Sequence, residues 1–364
     1  MTTSARVADE TRAVARTGPA TEGRLPWEEA MRAQWRVQLG DHPESAEVMD
    51  TIARSLAGTT ADNYGRHLDR FVGWCEGQPD RPQALPASTA TVLRWLAADV
   101  TVDNRVAASS LQPYLSALNR VHRDLDFSEP ALGHLVQQYK RGLAHRQADQ
   151  GRAPRRVYLP PAIVERLLLE ALVAPLDSAV AVRRLRDSTA VVVTFCLFAR
   201  GGTGSQLCVE HLRRSAAGLT VTLDHEKGKR VEGTARTLTI PPDAIPGLEE
   251  LLARWESIRG DLIPGQCYFA LQGERLRFPP SQIDTWLSNS LAHLDVKPPA
   301  GEKWTGHSLR KGAASGAAAL DVALHKICYV GGWSIKSKAV FDYIDPTCPA
   351  SSACRRFFGW LLSN

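Results

Sequence analysis

The sequence predicts a mainly α-helical chain in two domains: an N-terminal four-helix domain, and a C-terminal α+β domain with a small β-hairpin or sheet. Three observations carry this. Apolar residues recur at helical spacing from about residue 55 to residue 143. A basic stretch with Gly151, Pro154, Pro160 and Pro161 then interrupts that periodicity. Beyond it, two short alternating segments rich in β-branched residues, GLTVTLD and RTLTIP, stand among further helical runs.

Taken in order, residues 1–50 are expected to be a flexible extension, because MTTSARVADETRAVARTGPATEG is polar throughout and helix-poor in its second half. Residues 51–145 form the helical domain. Its first stripe is Tyr64, Leu68, Phe71, Val72 and Cys75. STATVLRWLAADV gives a second helix, with Ser88 or Thr89 as its cap. A third buries Leu111, Leu115, Leu118, Val121 and Leu125 and tolerates Pro113 only in its first turn. The fourth runs through Leu132, Leu135, Val136, Tyr139 and Leu143. Residues 146–157 read as a linker and 158–364 as the second domain. There PAIVERLLLEALV and DSTAVVVTFCLFAR are helices, the latter apolar nearly all round and therefore buried, with Arg200 at its end. The two strands join through HEKGKRVEGTA. Helices follow at GLEELLARWESI and PSQIDTWLSNSLAHL, then short helical pieces from His307 onward, broken by Gly331, Gly332 and Pro346. No internal repeat is present.

Composition narrows the function. The 364 residues carry 44 basic and 39 acidic side chains, a net charge of +5. The arginines gather in RVHRDL, YKRGLAHRQ, GRAPRRV, VRRLRD and HLRRS, which together favour a phosphate-rich partner. No apolar run reaches membrane-spanning length and no signal peptide is recognisable, so an intracellular protein is expected, with no membrane partner. The seven cysteines are scattered without a CxxC pair, as in reduced proteins, and no metal site is expected. A glycine-rich phosphate loop is also missing. No cofactor is expected, and side chains alone must do any chemistry.

The candidates for that chemistry begin with TGHSLRKGAASG, which sets His307, Arg310 and Lys311 at the mouth of a helix made of small residues. Cations are disfavoured at a helix N-terminus, where the macrodipole is positive. Arg200 stands in FARGGTGSQL, Lys227 and Lys229 in the hairpin turn, and Trp333 and Tyr343 in GGWSIKSKAVFDYID. Two arginines at the ends of buried helices are costly unless an anion pairs with them. A guanidinium fork suits two oxygens of one phosphate. Each residue alone has a plainer reading. Arg310 would pair with a core carboxylate, Arg200 with helix C-terminal carbonyls, the lysines with solvent, and Trp333 with the core. Tyr329 is a rival phenol, but its apolar flanks in KICYVGG read as packing.

In order and at this spacing, the residues resemble the tyrosine recombinases, or phage integrases, the family of the Xer and Cre recombinases. The resemblance covers nearly the whole chain. The helical domain looks like the family's core-binding domain and the remainder like its catalytic domain. His307-Ser308-Leu309-Arg310 matches the H-x-x-R motif, Trp333 the following His or Trp, and Tyr343 the tyrosine. Arg200 matches the first arginine and Lys227 the hairpin lysine, with Lys229 the second choice. The resemblance implies duplex DNA as substrate, oligomers on that DNA, and a DNA-associated location in cytoplasm, nucleoid or nucleus. Tyr343 would form a 3′-phosphotyrosyl link and release a 5′-hydroxyl. Arg200 and Arg310 would hold the phosphate, His307 would assist proton transfer, Trp333 would support the pocket, and Lys227 would protonate the leaving oxygen. Lys229, Arg230, Lys311, Arg155, Arg156, Arg120 and Lys140 are the expected further DNA contacts. The alternatives are a type IB topoisomerase-like enzyme and an inactive DNA-binding descendant of a mobile element.

Three departures stand out. Thr203 occupies the place of an acidic residue three after the first arginine. An Ala/Gly run follows the His-Arg pair, where the family has bulkier residues. The Trp333–Tyr343 interval is one residue longer than is typical of the family, so a bulge or loop near Lys336 to Lys338 is expected to absorb it. The terminal ASSACRRFFGWLLSN reads as an amphipathic helix, docked on its own domain or exchanged with a neighbour.

Overall fold

The computed structural model describes residues 32, 35–40, 42–53, 55, 58–149, 154–223, 235–274 and 277–362. The chain forms two compact units that divide between residues 152 and 153. Among the described residues, no helix is long and apolar enough to cross a membrane.

The first unit is helical: α1 (Ser45–Ala53), α2 (Gly58–Gly77), α3 (Thr89–Trp95), α4 (Gln112–Asp124) and α5 (His134–Asp149). The Ser88 hydroxyl accepts from Thr91 N–H at 3.0 Å and starts α3, which runs on into a π turn at Leu96–Val100. Pro113 sits in the first turn of α4, where its missing N–H costs nothing. Leu68, Phe71, Cys75, Leu115, Leu118 and Val121 meet in one core around Trp95, whose ring lies 5.0 Å from that of Phe71. Buried His122 ties the layer together: its Nε2 accepts from Ala87 N–H at 2.7 Å and its Nδ1 bonds Leu118 O at 2.7 Å.

Three expectations for this region need correction. Residues 35–39 and α1 are helical, and Trp35 and Met49 lie in the core, although 1–50 was expected to be an extension. Two well-spaced apolar side chains suffice to seat a polar segment. The unit therefore has five named helices among its described residues rather than four. Helix α5 continues through residues 146–149, expected to be linker, because no Gly or Pro lies between Leu143 and Gly151. Of the expected stripe, Leu132 and Leu135 are exposed, while Val136 and Leu143 are buried as expected.

The second unit opens with β1 (Arg155–Arg156), which pairs in parallel with β5 (Glu302–Lys303). Helices α6 (Pro161–Val173) and α7 (Ala179–Cys196) follow, then the short α8 (Gly201–Ser205). A three-stranded antiparallel sheet has the order β2 (Leu212–Ser215), β3 (Gly218–Leu223), β4 (Arg236–Ile240). The expected hairpin is thus a three-stranded sheet: LRRS has no apolar alternation, and only its pairing with β3 makes it a strand. Helices α9 (Leu248–Arg259), α10 (Gln282–His293), α11 (Gly306–Ala318), α12 (Leu324–Gly331) and α13 (Ser352–Phe358) complete the unit. Most of α7, from Leu185 to Cys196, is buried at the centre of this core.

The Ala/Gly composition of α11 follows from what surrounds it. A Cβ on Gly312 would sit 2.1 Å from the carbonyl oxygen of Leu159, and one on Gly316 would sit 2.8 Å from the Phe358 ring. Helix α13 docks on its own unit. Phe357 and Phe358 are buried with ring centroids 5.2 Å from Phe195 and Phe198 respectively, and Arg356 pairs with Glu165 at 2.6 Å.

Candidate active site

Helix α7 ends at Cys196, four residues earlier than expected for a helix closing on Arg200. Phe198 takes a left-handed φ of 50°, the chain turns, and Arg200 becomes the N-cap residue of α8. The glycines after it set its position. A Cβ on Gly201 would lie 2.5 Å from Ile283 Cγ2 and 3.4 Å from Gly306 Cα. The first residues of α8 and α11 therefore meet backbone to backbone, which brings the Arg200 and His307 positions together. Two residues further along α8, Thr203 is buried; Gly204 lies against Thr194 of α7, where a Cβ would stand 2.2 Å from Oγ1.

On α11, Arg310 is fully buried, and its Nη1 donates to the Phe198 carbonyl, two residues before Arg200. Its guanidinium carbon stacks 3.8 Å from the Trp333 ring centroid and 5.2 Å from that of Tyr343. Tyr343 is half-buried. Its ring centroid is 4.7 Å from His307 and 5.0 Å from Trp333. His307, Arg310, Trp333 and Tyr343 thus form one cluster. His307 keeps an exposed edge, yet burial, followed by the charges of Arg156, Arg310, Arg200 and Lys311, lowers its pKa. Four cationic side chains thus act on one imidazole. Among the described residues, Arg200 and Arg156 make no ion pair.

The loop that carries Trp333 and Tyr343 is built locally. Gly332 adopts the left-handed conformation that ends α12, and Trp333 N–H returns to Cys328 O at 2.9 Å. Gly331 leaves room for the indole: a Cβ there would lie 1.9 Å from Trp333 Cζ3. A turn closed by Ser337 N–H to Ser334 O at 2.9 Å, then a 3₁₀ segment at Lys338–Asp342, takes up the long Trp333–Tyr343 interval. Ser315 then clamps the strap beyond the phenol, donating to Tyr343 O at 3.1 Å and accepting from Asp345 N–H at 2.8 Å.

The remaining candidates divide. Lys311 Nζ lies 3.3 Å from Asp345 Oδ2. Burial alone would raise the Asp345 carboxyl, but bonds from Thr347 and the Lys311 ammonium hold it below the usual carboxylate range. Arg155 pairs with Glu302 at 2.8 Å. In the first unit, Arg120 pairs with Asp124 at 2.5 Å and Lys140 reaches Gln112 Oε1 at 3.2 Å. Lys227, Lys229 and Arg230 lie outside the described residues. Tyr329, read as packed, is instead 63% exposed, and its hydroxyl donates to Thr237 O at 3.4 Å on β4. Apolar sequence neighbours say little when the residue's own helical face points out.

Two features lay beyond sequence reasoning. Asp284 Oδ1 accepts from Gly306 N–H at 2.6 Å, from a different helix and 22 residues away. Cys208, Glu210 and His211 bring three possible metal-ligand atoms within 4.8 Å of one another. Their bonds in the fold are structural: His211 Nδ1 accepts from Cys208 N–H at 3.0 Å, and Glu210 accepts from Gly265 N–H at 3.0 Å. An imidazole with Nδ1 used as acceptor carries its proton on Nε2 and is poorly set to ligate a cation.

No protein-family model matches the chain, and no curated protein does. Solved structures do. Lambda integrase (residues 75–356), a dimer bound to a COC′ core site, superposes with a TM-score of 0.54 at 16% identity, over 82% of this chain and 92% of that chain. A lambda integrase tetramer bound to a Holliday junction gives 0.53 at 15%, over 90% and 89%. XerH site-specific recombinase, bound to palindromic difH substrate after cleavage, gives 0.51 at 11%, over 98% and 92%. The chain therefore has the fold of the tyrosine recombinases.

Proposed function

We propose that the protein is a DNA strand-exchange enzyme of the tyrosine recombinase kind, acting on duplex DNA as an assembly of protomers. The observation that carries this reading is the cluster itself: one phenol, Tyr343, against His307 and Trp333, with the buried Arg310 guanidinium against the Trp333 and Tyr343 rings. The charge of Arg200 acts on the same imidazole. The fold neighbours agree with it in kind: lambda integrase bound to DNA as a dimer and as a tetramer, and XerH recombinase bound to its difH substrate.

The chemistry follows from the residues. A phenol with an ordinary pKa near ~10 is a weak nucleophile at neutral pH and needs cations or a base nearby. His307, held neutral by burial and its cationic neighbours, is able to take the Tyr343 proton. The phenolic oxygen attacks phosphorus, the bond to the 5′ oxygen breaks, and that oxygen leaves with a proton supplied by Lys227. Arg200 and Arg310 hold the non-bridging oxygens, where each preorganised donor contributes about 10²–10³-fold. Because the phosphotyrosyl ester conserves the bond, a 5′-hydroxyl reverses the step and rejoins the strands. Arg156, Arg155, Lys311, Lys229, Arg230, Arg120 and Lys140 complete the proposed phosphate contacts.

The test starts from duplexes that the protein retains out of a random-sequence pool, rebuilt with a nick so that cleavage releases a short fragment irreversibly. The expected result is a denaturant-stable protein–DNA adduct from the parent and none from Tyr343→Phe. Survival of the adduct in Tyr343→Phe, with loss in Tyr329→Phe, moves the nucleophile to Tyr329. Retained binding without any adduct refutes the strand chemistry.

A further inference from the structure

The helix that carries His307 and Arg310 begins in an unusual way. Thr305 stands at its N-cap position and forms a capping box with Ser308, which leaves the first N–H of the helix to another acceptor. The first helical N–H, that of Gly306, is taken instead by the Asp284 carboxylate of α10 at 2.6 Å. Ser308 Oγ accepts from Thr305 N–H at 3.1 Å, so the chain entering the helix is also held. The neighbouring residue of α10, Ile283, fills the corner where Gly201 and Gly306 meet. A Cβ on either glycine would stand 2.5 Å from its Cγ2.

We propose that Asp284 is a positioning residue for strand cleavage, a carboxylate on α10 that fixes the first turn of α11 against Arg200. The inference rests on the reading of function above. Three elements meet at one corner: α8, whose N-cap is Arg200; α11, whose second residue is His307; and α10, which supplies both the acceptor and the wedge. A carboxylate at a helix N-terminus also offsets the positive end of the macrodipole, beside which His307 and Arg310 must sit. The acceptor oxygen sets the geometry, so an uncharged isostere retains most of the effect. Losing the acceptor lets the turn carrying His307 drift, and an error of about 1 Å in such a group costs about 100-fold in rate.

The experiment compares Asp284→Ala and Asp284→Asn with the parent on the nicked duplex, at saturating protein. The rate of Tyr343 adduct formation, DNA affinity and Tm are read for each. The expected result is a rate about 100-fold lower in Asp284→Ala, with affinity changed by less than about 3-fold. The Asn variant is expected to regain most of the rate. An Ala variant as fast as the parent overturns the inference. So does an Asn variant as slow as the Ala variant, or a rate loss in Asp284→Ala accompanied by an equal loss of DNA binding. A parent that forms no Tyr343-dependent adduct overturns the functional reading instead, so the two failures are separable.

Discussion

Gly331→Ala tests whether the Trp333 indole supports the cluster. A methyl group at residue 331 would sit 1.9 Å from Cζ3 and 2.1 Å from Cε3 of Trp333, and ordinary contact begins near 3.4 Å. The ring must therefore retreat by about 1.5 Å, or α12 must shift by as much. Either movement separates the indole from the Arg310 guanidinium, now 3.8 Å from its centroid, and from the Tyr343 ring at 5.0 Å. A desolvated cation–π contact is worth about 2 kcal/mol. Ala in place of Gly at a helix end returns up to about 1 kcal/mol. Net stability thus changes by about 1 kcal/mol, whereas a displacement beyond 1 Å in the pocket costs about 100-fold in rate. The control is Gly265→Ala, which has a φ of +81° and nothing within 4 Å of its added Cβ. It costs a similar 1 kcal/mol or so through the backbone alone. Adduct rates on the nicked duplex, measured beside Tm, separate the two variants. Equal rates in Gly331→Ala and Gly265→Ala at matched Tm would show that the indole's position does not matter.

Further expectations follow from the same contacts. Gly312→Ala should lower Tm although Ala favours helix by about 1 kcal/mol, because its Cβ would stand 2.1 Å from the Leu159 backbone oxygen; a raised Tm contradicts the packing described for α11. Phe358→Ala empties a fully buried ring site between Phe195 and Phe198. It should cost about 3–5 kcal/mol, seen as a fall of about 10 °C in the melting of the second unit. The His307 imidazole should titrate below its ordinary 6.5, and Arg156→Ala should move its NMR midpoint upward; an unmoved midpoint removes Arg156 from the pocket. The sign for stability follows. Above pH 6.5 the imidazole is neutral folded or unfolded, and between 6.5 and the lowered folded value only the unfolded chain binds the proton. Stability is therefore lost as pH falls through that window, and His307→Gln should remove this part of the loss.

Much of the site was legible because its residues follow one another at short range. His307 and Arg310 lie one turn apart on α11, and the Ala/Gly run announced close packing, realised at Gly312 and Gly316. The long Trp333–Tyr343 interval likewise implied a loop, found at Ser334–Ser337. Other features had no local signal. LRRS becomes a strand only by bonding β3. The polar N-terminal region hides Trp35 and Met49, whose burial depends on a core they do not build alone. Leu132 and Leu135 satisfy the helical period but are exposed among the described residues. Tyr329 has apolar sequence neighbours whereas Tyr343 follows Asp342, yet it is Tyr329 that is exposed and Tyr343 that packs against His307.

Residue order and hydrophobic period by themselves determined the helical character, the mixed second domain, and the set of cations and phenols spread over more than 140 residues. Side-chain identity and helical phase are local properties, and the chain states them outright. Tertiary structure decided which of those groups share a point in space. The meeting of Gly201 with Gly306, the Asp284 bond across 22 residues and the stack of Arg310 on Trp333 depend on how separate helices pack. Packing is a collective outcome of many weak contacts, so no single stretch of sequence encodes it.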